Sequence, residues 1–176
     1  MKFSLRYLAL FLYYSFLRWL PHSTVPVIGP IIERVKEFCC KLIFKSCGSN
    51  VNIGRNARFG RGENIVIGNN SGIGINAKVP SDLIIGMDVM MGQNVIIFGS
   101  NHAFDRVDIP MLRQGYRKYP PVVIEDDVWI GSNVIILPGR RIKKGSVIAA
   151  GTVLTKDFPE YSIVGGNPSR LIKSRI

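Results

Sequence analysis

The sequence predicts a stacked β-coil of short parallel strands behind two N-terminal helices. Three observations predict it: a six-residue apolar register, a change of composition at residue 51, and one large break in the register. With 176 residues, 47% hydrophobic and 20% charged, the chain has enough apolar material for one ordered domain and is not a disordered tail. A net charge of +11 favours an anionic partner, whether nucleic acid, an acidic membrane surface or a phosphorylated ligand.

Residues 3–20, FSLRYLALFLYYSFLRWL, are apolar around most of a helical circumference and end at Leu20–Pro21. Only uncharged residues 7–17 lie between Arg6 and Arg18, short of the about 20 that a spanning helix needs. No small-x-small cleavage site follows. Arg6, Arg18, Trp19 and the tyrosines suit a helix packed on the body, on another subunit, or on an acidic leaflet. Gly29–Pro30 opens a second helix, in which Ile31, Val35, Phe38 and Leu42, widened by Ile32, Cys39 and Ile43, form a packing stripe. Glu37 and Lys41 make an i,i+4 pair, and Gly48 is the expected stop. Cys39, Cys40 and Cys47 read as free thiols of a reducing compartment. Residues 1–48 are therefore assigned to a helical segment.

From residue 51 the chain turns rich in Val, Ile, Gly and Asn. Ile67, Ile73, Val79, Ile85, Met91 and Ile97 recur every six residues, and Ile124, Ile130, Ile136, Ile142, Ile148 and Leu154 resume the interval. Ile53 and Phe59 form an earlier pair, offset by two extra residues before Ile67. Six is neither the helical nor the simple strand period; it fits a coil whose repeat is a short strand plus a turn. The anchors stack inward, with Val89, Val95, Val128 and Val134 beside them, while Gly and Asn take the backbone angles that the corners need. The domain reads as residues 49–165, with residues 98–123 extruded and residues 166–176 forming a basic tail.

This register, with VWIGSNVIILPG at 128–139, AAGTVLTKDFP at 149–159 and GGNPSRLIK at 165–173, resembles the hexapeptide-repeat acyltransferases. These include the galactoside, maltose and capsular-polysaccharide O-acetyltransferases. The resemblance implies an all-β fold, a left-handed parallel β-helix with three hexapeptides per turn. It further implies homotrimers with active sites between subunits, acetyl-CoA as acyl donor, and no metal. His102, at the start of the extruded loop, matches the catalytic histidine, the general base that an acceptor hydroxyl needs. Ser132 and Gly131 are implied near the thioester, where backbone N–H groups would meet the oxyanion. Trp129 is implied as a wall of the coenzyme groove. Ala150 and Gly151 would let the pantetheine arm approach closely, and Thr155, Lys156, Arg170 and Lys173 match positions that meet the coenzyme. Lys173 stands where some relatives carry arginine, keeping the charge without the planar fork.

For the acceptor, Asn101, Asp105 and Arg113 are the candidate residues of the loop, with Asp105 also a candidate partner for the His102 ring. Arg140, Arg141, Lys143 and Lys144 read as a solvated basic face. The loop is about three residues longer than in galactoside acetyltransferases, and the rung at Asn70, Ser71 and Gly72 departs from theirs. The loop lies closer to the capsular-polysaccharide members, which points to a sugar hydroxyl of a bacterial surface-polysaccharide precursor. That reaction belongs in the cytoplasm, or at the inner face of the cytoplasmic membrane if residues 3–20 touch lipid.

The alternatives are N-acetylation of a nucleotide-linked amino sugar and a non-enzymatic scaffold. A zinc hydratase on the same coil needs three histidines, and only His22 and His102 exist. A nucleic-acid binder has only the net charge in its favour.

Overall fold

In the computed structural model, which describes residues 2–21 and 25–176, the coil forms from residue 46 onward. Two-residue strands stack in three parallel faces. One face carries Ser46–Cys47, Val66–Ile67, Ile84–Ile85, Val123–Ile124 and Arg141–Ile142. The second runs from Asn52–Ile53 and Gly72–Ile73 to Met90–Met91, Trp129–Ile130, Val147–Ile148 and Ser162–Gly165. The third carries Ile96–Ile97, Ile135–Ile136 and Val153–Leu154, extended by the bridges of Lys78 to Arg58 and Ile96. Partners such as Val66 and Ile84, or Val123 and Arg141, lie eighteen residues apart, so one turn is three hexapeptides. The fold is the left-handed hexapeptide β-helix.

The predicted anchors fill the interior. Ile67, Ile73, Ile85, Ile124, Ile130, Ile136 and Ile148 are at most 2% exposed, as are Val89, Val95, Val128 and Val134. Met91 is the half-buried exception. Because each rung alone has no inside, burial comes only from the rungs above and below. The first turn is longer: Ser46 pairs with Val66 and Asn52 with Gly72, twenty residues apart, which accounts for the two-residue offset.

The corners use both asparagine and glycine at left-handed angles, as the sequence predicts. Left-handed backbone falls on Asn56, Asn76, Asn94 and Asn133, whose amides form a ladder with N···O distances of 3.0 to 3.1 Å. Asn50, Asn70 and Asp88 form a second. Gly60, Gly139, Gly145 and Gly151 share that angle, whereas the other glycines that follow the anchors serve close approach. A Cβ on Gly74 would lie 1.9 Å from the Gly92 carbonyl oxygen of the next rung.

Helix α1 (Lys2–Ser15) ends earlier than Leu20–Pro21 and gives way to a 3-10 turn at Leu17–Trp19. Helix α2 (Ile28–Ile43) also stops short of Gly48; Phe44 is already extended, and Gly48 lies in the first rung, where a Cβ would meet Asn69. Tyr13 and Tyr14 donate to the Ala57 and Gly60 carbonyls at 3.0 Å and pack on Phe59. Arg6 reaches Ile43, Arg61 and Glu63. Glu37 and Lys41 pair at 2.5 Å as expected. Burial pushes the Cys39 and Cys47 thiols up to about 11, and that of Cys40 well above its ordinary value. The three remain free thiols.

The packing stripe of α2 is a correction. Its buried face is Ile32, Lys36, Cys39, Cys40 and Ile43, while Ile31, Val35, Phe38 and Leu42 point outward. Two apolar stripes share this helix, and the narrower one docks on the coil. Residues 166–176 are likewise more than a tail, since Arg170–Ser174 folds back antiparallel on Ser162–Gly165 and closes the end of the coil.

Candidate active site

The third face breaks after Ile97. Ile96 pairs onward with Ile135, thirty-nine residues later, eighteen for the turn and twenty-one for an insertion. The inserted segment forms a small antiparallel hairpin, Asn101–His102 against Tyr116–Arg117, and the coil resumes at Val123. Gln114 holds its far end, accepting from the Arg106 amide and donating to the Arg106 and Ile109 carbonyls. Tyr119 and Pro120 on the returning strand pack beside Gly139 of the next turn.

His102 is exposed, and its ring stacks on Tyr116 at 4.4 Å. This stack escaped the sequence reading because only the hairpin register brings Tyr116 opposite His102. Asp105 does not orient this ring within the chain: its carboxylate is bound by Arg117 across the hairpin. Asp108 is likewise paired with Arg106, which holds its carboxyl below the usual range. With both hairpin carboxylates engaged by arginines, an edge of the imidazole is left to meet a ligand. Asn101 is half-buried beside it, and Arg113 closes an exposed 3-10 turn.

Trp129, Gly131, Ser132, Ala150 and Gly151 fall together on another edge of the coil. Trp129 is 53% exposed between Met90 and Val147. The Gly131 amide donates to the Ile148 carbonyl at 2.8 Å, and Gly151 donates to Ser132 at 2.9 Å. A Cβ on Gly131 would lie 2.6 Å from the Ala150 nitrogen, so the backbones touch here. Gly151 serves differently. It takes a left-handed corner angle, φ +73°, with open space around it.

Thr155 and Lys156 follow the last strand of the third face. Thr155 is fixed by Ser169, which accepts from its amide at 3.0 Å and shares a hydroxyl contact at 3.1 Å. Ser169 is only 2% exposed, a supporting role the sequence does not announce. Ion pairs sort the basic residues. Arg140 pairs with Asp157, Arg141 with Glu125 and Arg175 with Asp127. Lys156, Arg170 and Lys173, like Lys143 and Lys144, have no acidic partner among the described residues, and Lys156 lies over the Phe158 ring. Arg170 and Lys173 stand on the closing strand, opposite Gly165 and Ile163.

Within one chain, therefore, the hairpin and the Trp129–Gly151 edge are separate, and among the described residues no hydrogen bond or ion pair joins them. His22 lies outside the described residues. No group of three or more potential metal-binding side chains occurs among the described ones.

A family model for the bacterial transferase hexapeptide, six repeats, matches residues 121–156. A maltose O-acetyltransferase from Clostridium difficile is 30% identical, with a TM-score of 0.70 over 98% of this chain and 87% of that one. The chain belongs to the hexapeptide-repeat acetyltransferase family. Another family member, a hexapeptide-repeat acetyltransferase from Vibrio cholerae solved with acetyl coenzyme A, has a TM-score of 0.78 at 27% identity, covering 97% of this chain and 87% of that one. A Saccharomyces cerevisiae protein named as an acetyltransferase is 44% identical over 80 residues, 46% of this chain but only 39% of its own length. The chain thus matches well under half of this curated relative.

Proposed function

We propose that this protein transfers the acetyl group of acetyl-CoA to a sugar hydroxyl, with His102 as general base. The observation that carries the reading is His102 itself, held on an inserted hairpin with its ring open and the neighbouring carboxylates neutralised. The acceptor hydroxyl gives its proton to His102 as its oxygen attacks the thioester carbon. The C–S bond then breaks, and the proton passes to the departing sulfur. The Ser132 amide or hydroxyl would face the oxyanion, since the Gly131 amide is spent on the Ile148 carbonyl. Trp129, Gly131, Ala150 and Gly151 would line the pantetheine arm, and Thr155, Lys156, Arg170 and Lys173 would meet the phosphates. Lys156, Arg170 and Lys173 carry no acidic partner that would compete for this last role.

Because the hairpin and the coenzyme edge are apart in one chain, the complete site belongs between neighbouring subunits of a homotrimer. Asn101, Asp105 and Arg113 would then contact the acceptor, with Asp105 already held by Arg117. A surface-polysaccharide precursor, acetylated in the cytoplasm, is the favoured acceptor. The likeness to a maltose O-acetyltransferase over nearly the whole chain favours oxygen over nitrogen as the nucleophile.

The test is transfer of labelled acetyl from acetyl-CoA across a panel of nucleotide- and lipid-linked sugars, with matched amino sugars. Label on a hydroxyl supports the reading; label only on amines would replace it with N-acetylation. No transfer to any acceptor, with no thermal shift by acetyl-CoA, would revive a scaffold.

A further inference from the structure

The helical end of the molecule carries a surface that acetyl transfer does not use. Leu5, Leu8 and Leu12 of α1 face Val35, Phe38 and Leu42 of α2 across an apolar groove of about 160 Å3. These side chains are open to solvent, Leu8 at 54% and Phe38 at 65%. They form a continuous patch of a kind that monomeric surfaces rarely leave uncovered.

Charge points to what covers it. At about 100° per residue, Arg34 and Lys41 fall along one flank of the outward stripe of α2, Glu37, paired with Lys41, and Glu33 lie farther round, and Lys45 follows just beyond the helix end. All three cations are exposed and both glutamates are half-buried. Residues 1–45 hold seven Lys and Arg against those two acids. A second copy of the same face would bring like charges together, whereas an anionic sheet of headgroups complements them. Trp19, 48% exposed beside this surface, is a residue type that favours the boundary between acyl chains and water. Helix α1, with 14 residues, is about 21 Å long, short of an about 30 Å hydrocarbon core. No described helix is long and apolar enough to cross a membrane.

We propose that the α1–α2 hairpin docks flat on an anionic lipid bilayer. Leu8 and Phe38 enter the acyl boundary, and Arg34, Lys41 and Lys45 lie among the headgroups. The opposite face of the helix pair packs on the first turn of the coil, so docking holds the protein by that end. This inference does not depend on the acyl-transfer reading.

The experiment is co-sedimentation of the full chain with vesicles of phosphatidylcholine alone or mixed equally with phosphatidylglycerol. Binding to the anionic vesicles, weakened by salt, is expected. The double substitution Leu8→Gln/Phe38→Gln should lower binding about tenfold or more, from the loss of two buried apolar side chains. The triple substitution Arg34→Ala/Lys41→Ala/Lys45→Ala should remove the preference for anionic lipid. It carries the test alone if the double variant fails to fold by circular dichroism. Absence of vesicle binding by the native chain overturns the proposal, as does binding that neither variant changes. Self-association that the double substitution abolishes, without vesicle binding, would assign the face to a second copy.

Discussion

The coil and the hairpin inserted into it are built by different rules. Ile130 in the coil is buried between Met91 and Ile148, the equivalent positions one turn before and one turn after. Its environment is repeated, so a sixfold apolar register is enough to specify it. The hairpin has no such neighbours. It stands on its own pairs, Asp105 with Arg117, Arg106 with Asp108, and Gln114 across the end. Repetition gives rigidity to the scaffold, and its absence leaves side chains such as His102 open to solvent.

The sharpest way to break this comparison is to change the hairpin residue that is proposed to react. His102→Ala should lower acetyl turnover by about 10²- to 10⁴-fold, while melting temperature and acetyl-CoA binding stay near native. Near-native turnover would remove His102 from the chemistry. In the coil, Gly74→Ala should instead act on stability, by about 3 kcal/mol, because the new Cβ meets backbone of the next rung. Urea denaturation measures it, and an unchanged midpoint would mean that the rungs can separate. Gly115→Ala in the hairpin has open space and costs only its left-handed angle, φ +77°, about 1 kcal/mol. Arg170→Ala should raise the KM for acetyl-CoA more than it lowers kcat; the reverse would move Arg170 away from the phosphates. The smallest effect is Asp105→Asn, which opens an exposed ion pair and should scarcely move the melting temperature.

What could be read from sequence follows the same division. The anchors at 67–97 and 124–154 and the break between them were legible, because each is a periodic demand of stacking, whereas the three-strand turn came from the family resemblance. Even the extra two residues of the first turn showed as a slip. The His102–Tyr116 stack and the Asp105–Arg117 pair were not, since they depend on a hairpin register that has no repeat. The outward stripe of α2 misled for a related reason: Ile31, Val35, Phe38 and Leu42 have the spacing of a buried face, and periodicity does not say which of two apolar stripes meets the body. Cations were legible as charge, but only the ion pairs separate Arg140, Arg141 and Arg175 from Lys156, Arg170 and Lys173.

The insertion between Ile97 and Val123 leaves the ladder unbroken. Lys78 still bridges to Ile96, and Ile96 still pairs with Ile135, as though the intervening residues were absent. Closing a flexible loop costs only about 0.6 kcal/mol more for each doubling of its length. The stack can therefore accept a longer, shorter or different insertion at this corner without refolding. Under the proposed function, acceptor preference would then change by exchange of this single segment, while the rungs proposed to hold the donor stay as they are.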